Sequence, residues 1–143
     1  MPAPYNPNNL LYSDLTRDLL DAFSHLNRYF RSRQALSERE MARALAIEME
    51  NRGRFTQREF PVTHTYNGQP IGDGFIDLVI DEKVAVEVKK TKEIRGEHLD
   101  QLRLYLEHAD LKVGVALSFG RPYANLDQKS ELRRVFRRIE QGD

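Results

Sequence analysis

The chain of 143 residues contains no cysteine. This absence excludes a disulfide framework, a thiolate zinc site, a cysteine nucleophile and an iron–sulfur cluster. Any metal bound to this chain must therefore be held by oxygen or imidazole ligands. The length and the hydrophobic fraction of 40% are typical of one globular domain with a single core, so we expect a single site.

Long apolar runs are also missing. No stretch approaches the roughly 20 apolar residues that cross a bilayer, and the start of the chain lacks the basic and apolar regions of a signal peptide. We therefore expect a cytoplasmic protein with no membrane partner. The 22 basic residues balance 22 acidic residues, so net charge gives no argument for a nucleic-acid partner.

Positive charge is nevertheless clustered in two places. One cluster follows the candidate site described below, and its members are Lys89, Lys90, Lys92 and Arg95. The other lies near the end of the chain, with Arg133, Arg134, Arg137 and Arg138 as its members. Charge runs are usually solvated faces, and for the second cluster we favour that interpretation.

The chain divides into residues 1–12, which are rich in proline and asparagine and predict a flexible arm, and residues 13–143, which predict one domain. Apolar residues at helical spacing predict a first helix behind Ser13, a residue that can cap, as far as about Phe30. A second helix should begin at Ser37, where Ser37 and Glu40 have capping-box spacing, and stop at Gly53.

The middle of the chain predicts three or four strands between Phe55 and Lys90. A tight hairpin is expected at Asn67-Gly68, with a short strand at residues 69–71 before a turn at residues 72–74. A third helix follows at about residues 95–108, with its core face at Leu99, Leu102 and Leu106, and then a buried strand at residues 111–119. Residues 131–139 fit either a helix or an edge strand. The order α-α-β-β-β-β-α-β predicts an α/β fold with a mixed sheet flanked by helices.

The segment from Gly74 to Lys90 can be registered as a hairpin by its own hydrophobicity. If residues 81–83 form the loop, three apolar pairs follow, namely Ile80 with Val84, Leu78 with Val86, and Ile76 with Val88. One face of the hairpin is then wholly apolar.

On the other face, the same register places Asp77 directly opposite Glu87, with Cβ atoms about 5 Å apart, and Lys89 two residues beyond. Two adjacent carboxylates repel each other unless positive charge lies between them, and Mg²⁺ with its preference for oxygen ligands supplies it. Lys89 then lies where its ammonium orients or helps to deprotonate an attacking water, or stabilises charge on a phosphate. The arrangement indicates phosphodiester hydrolysis.

The competing interpretation makes Asp77 and Glu87 ordinary surface ions that pair with Lys89 and Lys90 at an exposed rim. The D-x9-E-x-K pattern alone does not decide, because charged residues are common. Residues 75–80 are apolar nearly throughout, as in a strand covered on both faces. Partial burial of Asp77 follows, and an unpaired carboxylate is costly there, which favours a site.

Several ordered motifs resemble those of the GxxExxY proteins within the PD-(D/E)XK nuclease superfamily. The resemblance covers roughly residues 15–119, and it is carried by LSEREM from Leu36, YNGQPIGDGF from Tyr66, the span Asp77 to Lys89, HLDQLRLYL from His98 and LKVGVALSFG from Leu111. It implies a restriction-endonuclease-like α/β core with the acidic hairpin at its centre. It also implies Mg²⁺ or Mn²⁺ as cofactor.

Further site residues come from the resemblance. The motif glutamate of the family falls on Glu38, which implies a helix residue near the metal, although an acid at a helix N-terminus is also favoured by the dipole alone. The backbone carbonyl of Val88, the residue after the site glutamate, is implied as a metal ligand beside Asp77 and Glu87. Gln101 and Tyr105 match the Q-x-x-x-Y pattern of RecB-like nucleases, which implies that they position ligands or substrate.

Spacing of four puts Gln101 and Tyr105 on one helical face, which we expect to point away from the leucine core face of that helix. Without the resemblance, a tyrosine satisfied at the edge of the core would be the preferred interpretation of Tyr105. The family pattern is also incomplete, because its glycine and tyrosine fall on Ala35 and Met41, and an arginine common before Asp77 is absent. These departures leave the metal carboxylates intact and change residues that would position the substrate.

Two functions are therefore weighed. The first is a nuclease that depends on Mg²⁺ or Mn²⁺ and acts on DNA, with Glu38, Asp77, Glu87 and Val88 at the metal and with Lys89, Gln101 and Tyr105 completing the site. The second is a catalytically weak or inactive module that keeps the fold and binds nucleic acid or regulates. A homodimer is compatible with either. A hydrolase unrelated to nucleic acid has little support, because the four histidines lack metal-ligand spacing.

Overall fold

The computed structural model describes residues 11–91, 93–120 and 131–137. Within these residues lie three helices and five strands, in the order α1 (Ser13–Phe30), α2 (Glu38–Asn51), β1 (Thr56–Tyr66), β2 (Gln69–Ile80), β3 (Val84–Lys89), α3 (Gly96–Ala109), β4 (Val113–Ser118) and β5 (Glu131–Phe136). The strands form one sheet in their chain order. Neighbouring strands are antiparallel except β3 and β4, which are parallel and joined through α3. The predicted mixed sheet flanked by helices is confirmed.

The helix boundaries follow from capping chemistry. At α2, the Ser37 hydroxyl accepts the Glu40 backbone N–H while the Glu40 carboxylate accepts the Ser37 N–H, which is the predicted capping box. Gly53, just beyond α2, has φ of +82°, as expected of a helix stop. The prediction that Ser13 caps α1 is wrong, since Tyr12 occupies the N-cap position and makes no side-chain cap.

The prediction of a short strand at residues 69–71 followed by a turn at residues 72–74 is wrong. Residues 69–80 form one continuous strand, because the glycines at residues 72 and 74 adopt extended backbone inside β2 and make no turn. Three strands therefore precede α3, which is the lower of the two numbers predicted. At residues 131–136 the strand alternative is the one that forms, and β5 pairs along the whole of β4. The Asn67-Gly68 turn is confirmed, with positive φ at both residues.

The sheet is covered on both faces. Helices α1 and α2 pack on one face over a first hydrophobic cluster, which includes the fully buried side chains of Leu19, Met41, Leu45, Leu78, Ile80 and Leu117. Helix α3 packs on the other face over a second cluster, which includes Ile76, Val79, Leu102, Tyr105 and Leu106. This double cover explains why β3 and β4 are apolar almost throughout.

Residues at the ends of the chain are described only in part. Leu11 and Tyr12, from the segment predicted as an arm, pack against the first cluster, and residues 1–10 lie outside the described residues. In the C-terminal basic cluster, Arg137 pairs with Asp110 at 2.5 Å, and Arg134 donates to the Leu11 carbonyl. Lys92 and Arg138 also lie outside the described residues.

No helix in residues 11–91, 93–120 and 131–137 combines the length and the apolar character needed to cross a membrane.

Candidate active site

Strands β2 and β3 separate at Asp77. Their ladder pairs Ile80 with Val84 and Leu78 with Val86, as predicted, and it ends there. Beyond it, side chains take over the hydrogen bonding, because the Asp77 N–H donates to the Glu87 carboxylate at 3.2 Å and the Val88 N–H donates to the Asp77 carboxylate at 2.8 Å. The acid pair therefore lies in the fork between the two strands.

The predicted pairing of Ile76 with Val88 does not form, because β2 changes face at Asp77. Leu78 belongs to the first cluster, under α1 and α2, whereas Ile76 belongs to the second, under α3. The neighbouring strand makes the same change at Glu59, which adopts φ of +51° and interrupts the β1–β2 pairing opposite Asp77. Both strands thus change face at the same level while their pairing register is kept, and the result is similar to a β-bulge that redirects a side chain at a functional site.

The two carboxyl groups are close enough to share a proton. Glu87 is only 7% exposed, while Asp77 is half-buried. Burial, followed by the charge of Asp77, raises the pKa of Glu87 to about 8. Burial also raises the pKa of Asp77, although its hydrogen bonds with Val88 and Glu87 oppose this change. Like charges in a poorly solvated place disfavour double ionisation, so the pair favours the protonated form of Glu87 when no metal is bound.

Positive charge at the pair comes from Lys89. Burial raises the pKa of both Asp77 and Glu87, and the charge of the Lys89 ammonium opposes this rise at each of them, so Lys89 lies within electrostatic reach of the two acids. The neighbouring Lys90 is engaged elsewhere, because its ammonium donates to the Gln34 carbonyl at 2.8 Å. Of these two lysines, Lys89 is therefore the one whose charge acts on the acid pair.

Glu38 approaches the pair from α2 without joining it. Its carboxylate accepts the Lys90 backbone N–H at 2.7 Å, which ties the start of α2 to the end of β3. Burial is the main cause of the raised pKa of Asp77, and the charge of Glu38 adds to it. Within the described part of the chain, however, no group of three or more His, Asp or Glu side chains is gathered to hold a metal.

The donor set still suits a hard divalent cation. Asp77 and Glu87 offer carboxylate oxygens, and Mg²⁺ is commonly bound by one or two carboxylates with waters completing its shell. The N–H and C=O of one strand residue point to the same edge, so the Val88 carbonyl faces the same fork as the Val88 N–H that binds Asp77. A bound cation would relieve the repulsion between these two poorly solvated carboxylates.

Tyr105 lies on the far side of the pair, in the core. It is 8% exposed and belongs to the second cluster, so the expectation that it points away from the core face of α3 is wrong. Burial, then the charges of Glu87 and Asp77, raises the pKa of the Tyr105 hydroxyl, which places the ring beside the acids. The Gln101 amide donates to that hydroxyl at 3.3 Å. The structure thus brings Gln101 and Tyr105 together next to the pair.

His64 on β1 holds the Tyr105 ring from the other side. The two rings stack at 5.4 Å with an interplanar angle of 5°, and His108 meets His64 edge-on at 5.0 Å. A Cβ on Gly74 would lie 2.8 Å from the Tyr105 oxygen. Glycine at this position is therefore what lets the Tyr105 ring pack directly against the backbone of β2.

A cleft of about 730 Å³ opens beside Asp77, between the start of α2 and strands β1 and β2. Its walls include Glu38 and Arg43 from α2, Arg58 from β1, and Phe75 with Asp77 from β2. One acid of the pair is therefore reachable from solvent, while Glu87 lies deeper. The arrangement can bind a cation at the carboxylates and an anion at the arginines.

His64, Arg58 and Phe75 were not predicted from the sequence as site residues. Phe75 carried a usable signal, since it lies two residues before Asp77 and strand periodicity places such residues on one face. Arg58 and His64 carried none, because their position depends on the left-handed backbone of Glu59, which no local residue pattern predicts.

Comparison with known proteins gives a family match. A model of the PD-(D/E)XK nuclease superfamily matches residues 13–135. Among solved structures, the chain is similar to an alkaline exonuclease from Laribacter hongkongensis, with 15% identity and a TM-score of 0.47 over 65% of this chain and 52% of that one. It is also similar to SSO0001, with 15% identity and a TM-score of 0.49 over 88% of this chain and 78% of that one. The chain thus spans about half the length of the exonuclease. No curated protein matches it.

Proposed function

We propose that this chain, which belongs to the PD-(D/E)XK nuclease superfamily, hydrolyses phosphodiester bonds of DNA with Mg²⁺ or Mn²⁺ bound at Asp77 and Glu87. Nucleases of this superfamily generally use divalent metal ions. The observation that carries the proposal is the close approach of two poorly solvated carboxyl groups, of which Asp77 lines a solvent-open cleft. Such a pair destabilises a metal-free protein, and function is the usual reason for retaining it.

In this proposal Asp77 and Glu87 hold the ion together with the Val88 carbonyl, and Glu38 contributes from across the cleft. When bound, the ion polarises the phosphoryl group and acidifies a water molecule. Lys89, two residues beyond Glu87, stabilises negative charge on the phosphate or orients the attacking water. Gln101 and Tyr105 position the acid pair from behind, through the Tyr105 hydroxyl.

Cleavage assays test this proposal directly. Purified protein is incubated with single- and double-stranded DNA, with and without Mn²⁺, alongside Asp77→Ala and the matched control Asp73→Asn. Asp73 lies on the same strand and bonds Thr63 outside the site. We expect metal-dependent cleavage by the wild type and the control, with a loss of at least about 100-fold in Asp77→Ala. No cleavage by the wild type, or equal cleavage by Asp77→Ala, would contradict the proposal.

The second candidate is a catalytically weak or inactive module. It is favoured by Ala35 and Met41, which stand where the GxxExxY motif has its glycine and its tyrosine. Met41 is fully buried in the first cluster, so its side chain is part of the core and does not reach the cleft. Binding of DNA or protein that ignores both metal and the Asp77→Ala change would identify this function.

Three further expectations stay predictions. They are the division into an arm at residues 1–12 and a domain at residues 13–143, the cytoplasmic location, and a homodimer. Light scattering on the purified chain tests the homodimer.

A further inference from the structure

The cleft beside Asp77 carries an exposed aromatic ring. Phe75 is 60% exposed, although it lies on a strand whose next residues are buried. Because β2 changes face at Asp77, Phe75 lies on the α2 side of the sheet, in a part of the sheet that α2 does not cover. Its ring therefore lines an open cleft, two residues from the proposed metal ligand.

Two arginines without carboxylate partners line the same cleft. Arg43 on α2 and Arg58 on β1 are both exposed. Among the residues that the structure describes, neither lies within ion-pair distance of an acid, whereas Arg39 in the same wall pairs with Glu59 at 2.5 Å. Two uncompensated guanidinium groups beside an aromatic ring suit a ligand that carries both anionic groups and flat bases.

The size of the cleft limits that ligand. Its volume of about 730 Å³ falls within the range of roughly 300 to 1,000 Å³ that holds drug-sized molecules. This volume suits one or two nucleotides of a single strand. A duplex keeps its bases stacked inside, so it would offer Phe75 no base face.

We propose that Phe75, Arg43 and Arg58 form a binding site for single-stranded nucleic acid, in which one base stacks on Phe75 and the flanking phosphates contact the two arginines. This inference rests on the proposed function, because it delivers the next phosphodiester to Asp77. It assigns the substrate class as a single strand or a frayed end. Both DNA and RNA single strands offer the base face and the phosphates that this site would contact.

Binding measurements in EDTA test the site without any turnover. Fluorescence anisotropy is measured with labelled oligothymidine and oligouridine of about 10 nucleotides, and with a labelled duplex. The wild type should bind the single strands more tightly than the duplex. Phe75→Ala should weaken single-strand binding roughly 5- to 100-fold, the effect of losing one base–aromatic stack, and Phe75→Trp should retain it.

The matched control is Phe55→Ala. Phe55 is 55% exposed but does not line the cleft, so this change should leave binding unaltered. Phe75→Leu separates stacking from apolar contact, because leucine keeps the apolar surface and loses the ring. If Phe75→Leu or Phe75→Ala binds as the wild type does, the stacking role is overturned.

Salt dependence tests the arginines. For single strands, the slope of log affinity against log salt concentration changes by about 0.7 for each phosphate contact. Arg43→Ala and Arg58→Ala should each reduce the slope by about that amount, and Arg17→Ala on α1 should not. Unchanged slopes for both cleft arginines would overturn their role.

The two proposals fail separately. Metal-dependent cleavage with equal affinity for single strand and duplex would overturn the single-strand site and leave the nuclease standing. Binding that depends on Phe75, without any cleavage, would support the single-strand binding site and contradict the proposed nuclease activity. Weaker binding of oligouridine than of oligothymidine would assign DNA as the preferred strand, and the reverse order would assign RNA.

Discussion

The two halves of strand β2 differ in burial and in pairing. Residues 78–80 are fully buried and are paired with β1 on one side and β3 on the other. Residues 69–73 are exposed, and within the described chain they pair with β1 alone. Asp77 lies at the boundary, where the strand changes face. The core half therefore supplies stability and desolvation, while the outer half leaves one side of the acid pair open to a ligand.

The largest difference should appear when an apolar side chain is removed from each half. Leu78→Ala deletes a fully buried side chain and should lower the free energy of unfolding by about 2 to 5 kcal/mol. Ile71→Ala removes a side chain that is 69% exposed and should change it by no more than about 0.5 kcal/mol. Urea unfolding of both variants measures this, and equal losses would remove the distinction between the halves.

The second-largest effect is expected in the pH dependence of the unfolding free energy, which is governed by Glu87 beside Asp77. The pKa of Glu87 is raised from 4.5 to about 8 on folding, so the folded state retains a proton that the unfolded state releases. Stability from this group is complete below about pH 4.5 and is lost as pH rises through about 8. In EDTA, the unfolding free energy should fall by about 2 to 4 kcal/mol between roughly pH 5.5 and pH 9.

Glu87→Gln is the control for that pH dependence, since glutamine cannot titrate. Its unfolding free energy should vary much less over the same pH range. A wild-type stability that is flat or rises with pH would show that Glu87 is ionised in the folded metal-free protein.

A smaller effect is expected from two glycines on the outer half of β2. Gly74→Ala places a methyl group against the buried Tyr105 hydroxyl, at 2.8 Å, and should cost about 1 to 2 kcal/mol while it displaces the ring from the acids. Gly72→Ala meets no atom within 4 Å and should be neutral. Thermal melts and cleavage assays compare the two glycine variants. A Gly74→Ala protein that is as stable and as active as the wild type would exclude a role for Tyr105 in the site.

The smallest change is expected from neutralising the acid at the boundary. Asp77→Asn removes the repulsion with Glu87, and its amide oxygen can still accept the Val88 N–H, so the metal-free protein should be as stable as the wild type or slightly more so. Lys89→Ala should weaken the metal-free fold by about 1 kcal/mol, because the acids lose their compensating charge. A metal-free Asp77→Asn protein that melts several degrees lower would make Asp77 a structural residue.

Much of the core half could be predicted from the sequence. The pairs Ile80 with Val84 and Leu78 with Val86 followed from the alternation of apolar residues and a short loop. The capping box at Ser37 and the turn at Asn67-Gly68 followed from local chemistry. Where each residue's preference agrees with the tertiary structure, a local pattern is sufficient.

The boundary could not be predicted by the same reasoning. Regular alternation continued through Asp77 would pair Ile76 with Val88, but the left-handed backbone at Glu59 and the side-chain hydrogen bonds of Asp77 and Glu87 interrupt this pattern, and Ile76 lies on the other face of the sheet. The burial of Tyr105 also escaped prediction, because it depends on the absence of a Cβ at Gly74, which is far away in sequence. Departures of this kind are expected at functional sites.

The central claim is that Asp77 and Glu87 form a metal site. Thermal melts at about pH 8, first in EDTA and then with Mn²⁺, test it most directly for the wild type, Asp77→Asn and Glu87→Gln. A free ion concentration near 100 times the dissociation constant should stabilise the wild type by about 2.7 kcal/mol and leave both variants unchanged. The same gain in all three proteins, or no gain in the wild type, would contradict the claim.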